Sequence, residues 1–107
     1  MSDTITREFI VPASHASLAG HFPGQPVVPA VVLLDNVLTA IQTRGAFALL
    51  SIPSAKFLKP VLPDERIELR IEFAPLESSR IRASFQGTGA SSVAFEGSFV
   101  LEAEPAS

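Results

Sequence analysis

Proline placement sets the first limit on what this chain can become. Pro12, Pro23, Pro26 and Pro29 fall within residues 12–29 together with Gly20 and Gly24. Each proline locks φ and removes a backbone donor, so regular structure cannot persist through that segment. From Pro29 to about Arg44 the interruptions stop, and Leu34, Val37, Leu38 and Ile41 recur at helical spacing. Pro29 suits the first turn of a helix, so one long helix is predicted here. Residues 31–34 are apolar on every side, which predicts a buried helix wrapped by a sheet.

After Gly45 the pattern shortens into segments bounded by Pro53, Pro60, Pro63 and Pro75. Alternation is clearest in residues 66–73, where Ile67, Leu69, Ile71 and Phe73 share one face and Arg66, Glu68, Arg70 and Glu72 the other. Residues 80–85 repeat the device with Ile81, Ala83 and Phe85, and residues 93–101 with Val93, Phe95, Phe99 and Leu101. Residues 4–11, rich in β-branched and aromatic side chains, supply a first strand. The connections 75–79 and 87–92 are short, so these strands should form an antiparallel meander. One helix against one antiparallel sheet is an α+β architecture, and residues 1–107 are expected to form a single domain.

The composition narrows the function classes. Hydrophobic residues make up 47% and charged residues 18% of the chain, which is the balance of a globular protein with a core to bury. The net charge of -3 speaks against nucleic acid, whose phosphates need a basic surface. Without cysteine there is no disulfide framework, thiolate metal site or thiol nucleophile. The longest apolar stretch, residues 27–34, is broken by Pro29 and falls far short of the roughly 18 residues of a membrane span. The start, MSDTITREF, has no apolar run resembling a secretory signal, so a cytoplasmic protein is expected.

Two residues stand out chemically. His21 lies in HFPGQPVVP, where three prolines and a glycine set a stiff path that can hold one side chain rigidly. An imidazole so held is a natural general base. A loop histidine that only bonds backbone is the other reading, and residue type alone favours it. Asp35 lies among Val31, Val32, Leu33, Leu34, Val37 and Leu38, where a carboxylate is costly unless it meets a polar partner or a cavity. It could equally occupy an exposed stripe beside Asn36 and Thr39. His15 precedes the stiff segment and reads as structural.

The run HFPGQPVVPAVVLLD closely resembles the active-site signature of the 3-hydroxyacyl-(acyl carrier protein) dehydratases, in register from His21 to Asp35. The later stretch FLKPVLPD, residues 57–64, resembles the F-x-x-P-V-x-P-G-D segment of the same family. The resemblance implies a hotdog fold, in which a long central helix is wrapped by an antiparallel sheet. It implies a homodimer with shared active sites, the histidine of one protomer facing the acidic residue of the other. Higher oligomers, or a hetero-oligomer with a paralogue, are compatible with it.

By that resemblance His21 and Asp35 are the catalytic pair that removes water from a 3-hydroxyacyl thioester, in fatty acid or related polyene biosynthesis. Gly24, Ala30, Phe22 and Val31 are the expected oxyanion- and substrate-binding positions. No metal or other cofactor is implied beyond the phosphopantetheine that carries the substrate, and acyl carrier protein is the implied partner. Lys56 and Lys59 are the expected docking cations. Arg66, Arg70, Arg80 and Arg82 either widen that patch or form an ordinary solvated strand face, and their alternating placement favours the second.

Three positions depart from the family pattern. Ala30 stands where Gly is usual, Asp35 where Glu is more common, and Thr39 where Gln is frequent. An acidic residue of this length also occurs in the branch that isomerises the product, but Pro23 replaces that branch's Lys. A hotdog thioesterase using Asp35 to activate water, and a non-catalytic subunit supporting an active paralogue, are the competing expectations.

Overall fold

In the computed structural model, the residues described are 3–15, 27–90 and 92–104. Six elements follow in order: β1 (Asp3–Ile10), α1 (Ala30–Gln42), β2 (Phe47–Phe57), β3 (Arg66–Pro75), β4 (Arg80–Thr88) and β5 (Val93–Ala103). The strands form one sheet in the order β1-β3-β4-β5-β2, with every neighbouring pair antiparallel. This is the predicted α+β arrangement, with β3, β4 and β5 as the meander. Strand β1 pairs beside β3 at one edge, and β2 closes the far edge against β5.

Alternation builds the core directly. Ile67, Leu69, Ile71 and Phe73 of β3 are buried while Arg66, Glu68, Arg70 and Glu72 are exposed. On β4, Ala83 and Phe85 continue the inner face, and on β5, Phe95, Phe99 and Leu101 complete it. Ala94 is buried as well, near the place where the β4–β5 register shifts between Gly87 and Thr88. The Phe95 ring lies 6.2 Å from Phe85, 6.4 Å from Phe57 and 6.5 Å from Phe9, and Phe85 lies 5.0 Å from Phe99. Aromatic packing of this kind ties four strands into one layer. No buried side chain among the described residues is polar.

The helix departs from its expected all-round burial. Leu33, Val37, Ala40 and Ile41 face the sheet and are buried, but Val31 is 73% exposed, and Asp35 and Thr39 are exposed with it. These three residues are spaced by four and therefore share one stripe, while the sheet of a single chain covers only one side of the cylinder. Pro29 is the N-cap rather than the first helical residue. At the far end, Arg44 pairs with Asp3 and stands 5.1 Å over the Phe73 ring, fastening the helix exit to β1 and β3.

Strand β2 also corrects the sequence expectation. Pro53 does not bound a short segment but sits within an eleven-residue strand. Proline is tolerated there because β2 is an edge strand, and the β2–β5 register shifts on either side of Ser51 as the chain passes it. Leu49, Leu50 and Ile52 along this edge are 38%, 43% and 43% exposed.

Candidate active site

The two stretches that carry the family resemblance meet in space. The Val28 N–H donates to the Val61 carbonyl at 2.9 Å, and both side chains are buried in the same core. Thus the lead-in to α1 is bound to the loop between β2 and β3. That loop is itself fixed to the sheet, because the N–H groups of Leu58 and Lys59 both donate to the Ala94 carbonyl, at 2.8 and 3.2 Å.

At the start of α1, Val32 and Leu33 donate to the Pro29 carbonyl at 3.0 and 3.3 Å, and no side chain caps the helix. The N–H groups of Ala30 and Val31 precede the helical ladder and carry the positive end of the helix dipole. Asp35 follows Val31 by one turn on the stripe that the sheet leaves open. Of the two expectations for Asp35, the single chain shows the exposed stripe, with Thr39 beside it, rather than burial in its own core. Asn36 turns back instead, donating to the Val32 carbonyl at 2.9 Å.

His21, Phe22 and Gly24 lie outside the described residues. Ala30 and Val31 are both exposed at the first turn of the helix. His15 is exposed, and its N–H closes a turn onto the Pro12 carbonyl at 2.9 Å.

Lys56 and Lys59 occupy different surroundings. Lys56 is on the outer sheet face opposite Glu96, and it lines a shallow cavity of about 450 Å³ with Arg70 and Arg82. Ser54, Ser98 and Ser84 stand in register across three strands and form the floor of that trough. Lys59 belongs to the β2–β3 loop, where its Nζ and the Glu65 carboxylate lie against Gly89. Arg70 pairs with Glu72 at 3.1 Å and Arg66 approaches Glu8 at 3.8 Å, both in the open, as the reading of a solvated strand face requires.

Sequence reasoning missed Asp64. It has φ 64°, in the left-handed region, and its backbone N–H donates to the Val11 carbonyl at 2.8 Å. Its carboxylate accepts from the Ala13 N–H at 3.2 Å. A Pro followed by a short polar residue is the available signal, because Pro63 and Asp64 are the central residues of a turn closed by Glu65 N–H on the Leu62 carbonyl at 3.3 Å.

Comparisons with known proteins bear on the same residues. The family model described as "ApeI dehydratase" matches residues 1–97. A 3-hydroxyacyl-[acyl-carrier-protein] dehydratase FabZ of Vibrio atlanticus is 34% identical over 95 residues, covering 78% of this chain and 62% of that protein. The chain spans 42% to 62% of the length of the curated relatives it matches. Among solved structures, the dehydratase heterocomplex ApeI:P from Xenorhabdus doucetiae aligns with a TM-score of 0.78 at 22% identity, over 94% of this chain and 93% of that one. The 1,4-dihydroxy-2-naphthoyl-CoA thioesterase Slr0204 from Synechocystis aligns with a TM-score of 0.76 at 15% identity, over 96% and 85%. At these identities the structures establish the hotdog fold alone, and that fold serves more than one chemistry. The match across residues 1–97 places this chain in the ApeI-like dehydratase family.

Proposed function

We propose that this chain removes water from 3-hydroxyacyl thioesters, with His21 and Asp35 as the acid–base pair. The observation that carries this reading is the position of Asp35. It stands one turn beyond Val31, next to an uncapped helix N-terminus, on the stripe its own sheet does not cover. A carboxylate there is available to a group outside the helix's own core. The bond between Val28 and Val61 supports it, because it joins the two motif segments at that end of the helix.

In the proposed reaction neutral His21 takes the Cα proton, and the electrons of that bond form the Cα–Cβ double bond. The C–O bond breaks, and the hydroxyl leaves as water with a proton taken at Asp35, directly or through a water. The imidazolium then returns its proton to the carboxylate. Charge developing on the thioester oxygen is met by a backbone N–H, either that of Ala30 at the positive end of the helix or that of Gly24. Phe22 and Val31 line the acyl path. The chemistry needs no metal or further cofactor, and the acyl group arrives on phosphopantetheine.

The reading includes a dimer that completes each site. Strand β2 offers a free edge with Leu49, Leu50 and Ile52 half-exposed along it, a surface suited to pairing with a second chain. Acyl carrier protein is the proposed donor, as the name of the Vibrio relative suggests, with Lys56 and Lys59 as docking cations in a cytoplasmic setting. A second reading, a subunit that supports an active paralogue, has one observation in its favour: the fold neighbour from Xenorhabdus is a heterocomplex.

Incubation with a 3-hydroxyacyl thioester, following the ultraviolet absorbance of the enoyl product, separates these readings. Wild type should form enoyl thioester, and His21→Ala and Asp35→Asn should fold but lose the activity by about 10²- to 10⁴-fold. Equal rates for all three would refute the assignment of the pair. Release of free thiol indicates a thioesterase, and activity only on adding a paralogue indicates the supporting subunit.

A further inference from the structure

The loop between β2 and β3 holds both ends of the segment that contains His21. At the upstream end, Val11 directly follows β1 and Pro12 comes next, so between the Val11 carbonyl and the Ala13 N–H there is no backbone donor. Asp64 engages both of these groups. Its N–H donates to the Val11 carbonyl at 2.8 Å and its Oδ1 accepts from Ala13 N–H at 3.2 Å. Ala13 opens the turn that His15 N–H closes on Pro12. At the downstream end, the Val61 carbonyl accepts from Val28 N–H at 2.9 Å. One four-residue stretch, 61–64, therefore fastens both stems of a fourteen-residue span, 14–27.

The geometry of that stretch explains how it reaches both stems. Leu62, Pro63, Asp64 and Glu65 form a turn with proline at its second position and a left-handed residue at its third. Glu65 reinforces it, accepting from Leu62 N–H at 3.1 Å. By count, Asp64 stands where the F-x-x-P-V-x-P-G-D pattern has glycine, so the backbone shape has a cheaper solution than the one used. The carboxylate is what glycine would lack, and it is spent on Ala13.

We infer that Asp64 is a positioning residue: through Ala13 and Val11, together with Val61 on Val28, it clasps the described residues on either side of the His21 segment in the chain, and the proposed reaction depends on that clasp. This rests on the assignment of His21 to the chemistry. The substitutions separate side chain from backbone shape. Asp64→Gly keeps the left-handed turn but removes the acceptor, while Asp64→Asn keeps an amide oxygen for Ala13 and tolerates the same φ.

The test uses the full chain and an N-acetylcysteamine thioester of a 3-hydroxy acid, with amide exchange at Ala13 read by NMR. In Asp64→Gly, kcat should fall about 10- to 100-fold, as for a small misplacement of a reacting group. Its KM should change less than roughly twofold. Ala13 exchange should rise about tenfold, and Asp64→Asn should restore both exchange and kcat. Wild-type kcat in Asp64→Gly overturns the inference, whether or not Ala13 exchanges faster. Failure of Asp64→Asn to restore kcat does so too. If His21→Ala keeps full activity, the catalytic assignment falls, and the clasp is then judged by Ala13 exchange alone: unchanged exchange in Asp64→Gly removes it.

Discussion

Gly97 is a position where a single methyl group should do heavy damage. It lies on β5 between Ala55 of β2 and Phe85 of β4. A Cβ built there would fall well inside contact with the Ser54 carbonyl oxygen, and it would lie 2.8 Å from the Phe85 ring and 3.0 Å from the Ala55 Cα. Two of these neighbours are backbone and the third is a ring only 3% exposed, so none can step aside cheaply. Relief requires β2 to move away from β5 beside its irregularity near Ser51–Ser54. Overpacking of this kind costs about 2 kcal/mol. Straining one ladder hydrogen bond adds about 1 kcal/mol. A total of about 3 kcal/mol should lower the thermal midpoint of a domain this size by roughly 12–24 °C.

Gly45→Ala is the matched control, because the new Cβ would meet only the Phe47 ring, at 3.6 and 3.9 Å. It should leave stability unchanged or raise it by about 0.4–1 kcal/mol through the unfolded chain. Both variants are compared with wild type by circular dichroism melts at one fixed protein concentration, since an associating protein melts at a concentration-dependent temperature. A Gly97→Ala protein melting within about 3 °C of wild type, less than 1 kcal/mol, would refute the packing argument.

Two further outcomes follow from the fold. Ser78 and Ser79 both have positive φ, 61° and 63°, in the hairpin turn that joins β3 to β4, the geometry that favours Asn-Gly. Ser78→Asn with Ser79→Gly should therefore raise stability by about 1 kcal/mol in chemical denaturation, and a loss of stability would contradict the turn geometry. At the free edge, Ile52→Lys should convert a β2-paired dimer to monomer in analytical ultracentrifugation, because an edge lysine opposes strand addition. A variant that stays dimeric would place the interface elsewhere.

Most of the architecture was legible because its signals are local. Period-two alternation in β3, β4 and β5 needs no knowledge of the partner strand, and the proline-free run with helical spacing marks α1 to within two residues at either end. The candidate site was legible in a different way, as a motif: His21 and Asp35 are named by the run that contains them. Where Asp35 points could not be read from that run. Its neighbours are apolar in sequence, yet the fully buried row is Leu33, Val37, Ala40 and Ile41, with Val32, Leu34 and Leu38 only partly buried beside it, and that choice is made by the helix's rotation against β1–β5.

By itself, then, the sequence determined the element types, the inner and outer faces of the central strands and the candidate chemistry, since each depends on residues near one another in the chain. Tertiary structure alone decided the strand order, the passage of β2 through Pro53 and the close approach that makes Gly97 obligatory. It also decided the hold of the 61–64 turn on residues 11–13 and 28. These depend on groups far apart in sequence, and no local pattern records which distant backbone will arrive beside a given residue.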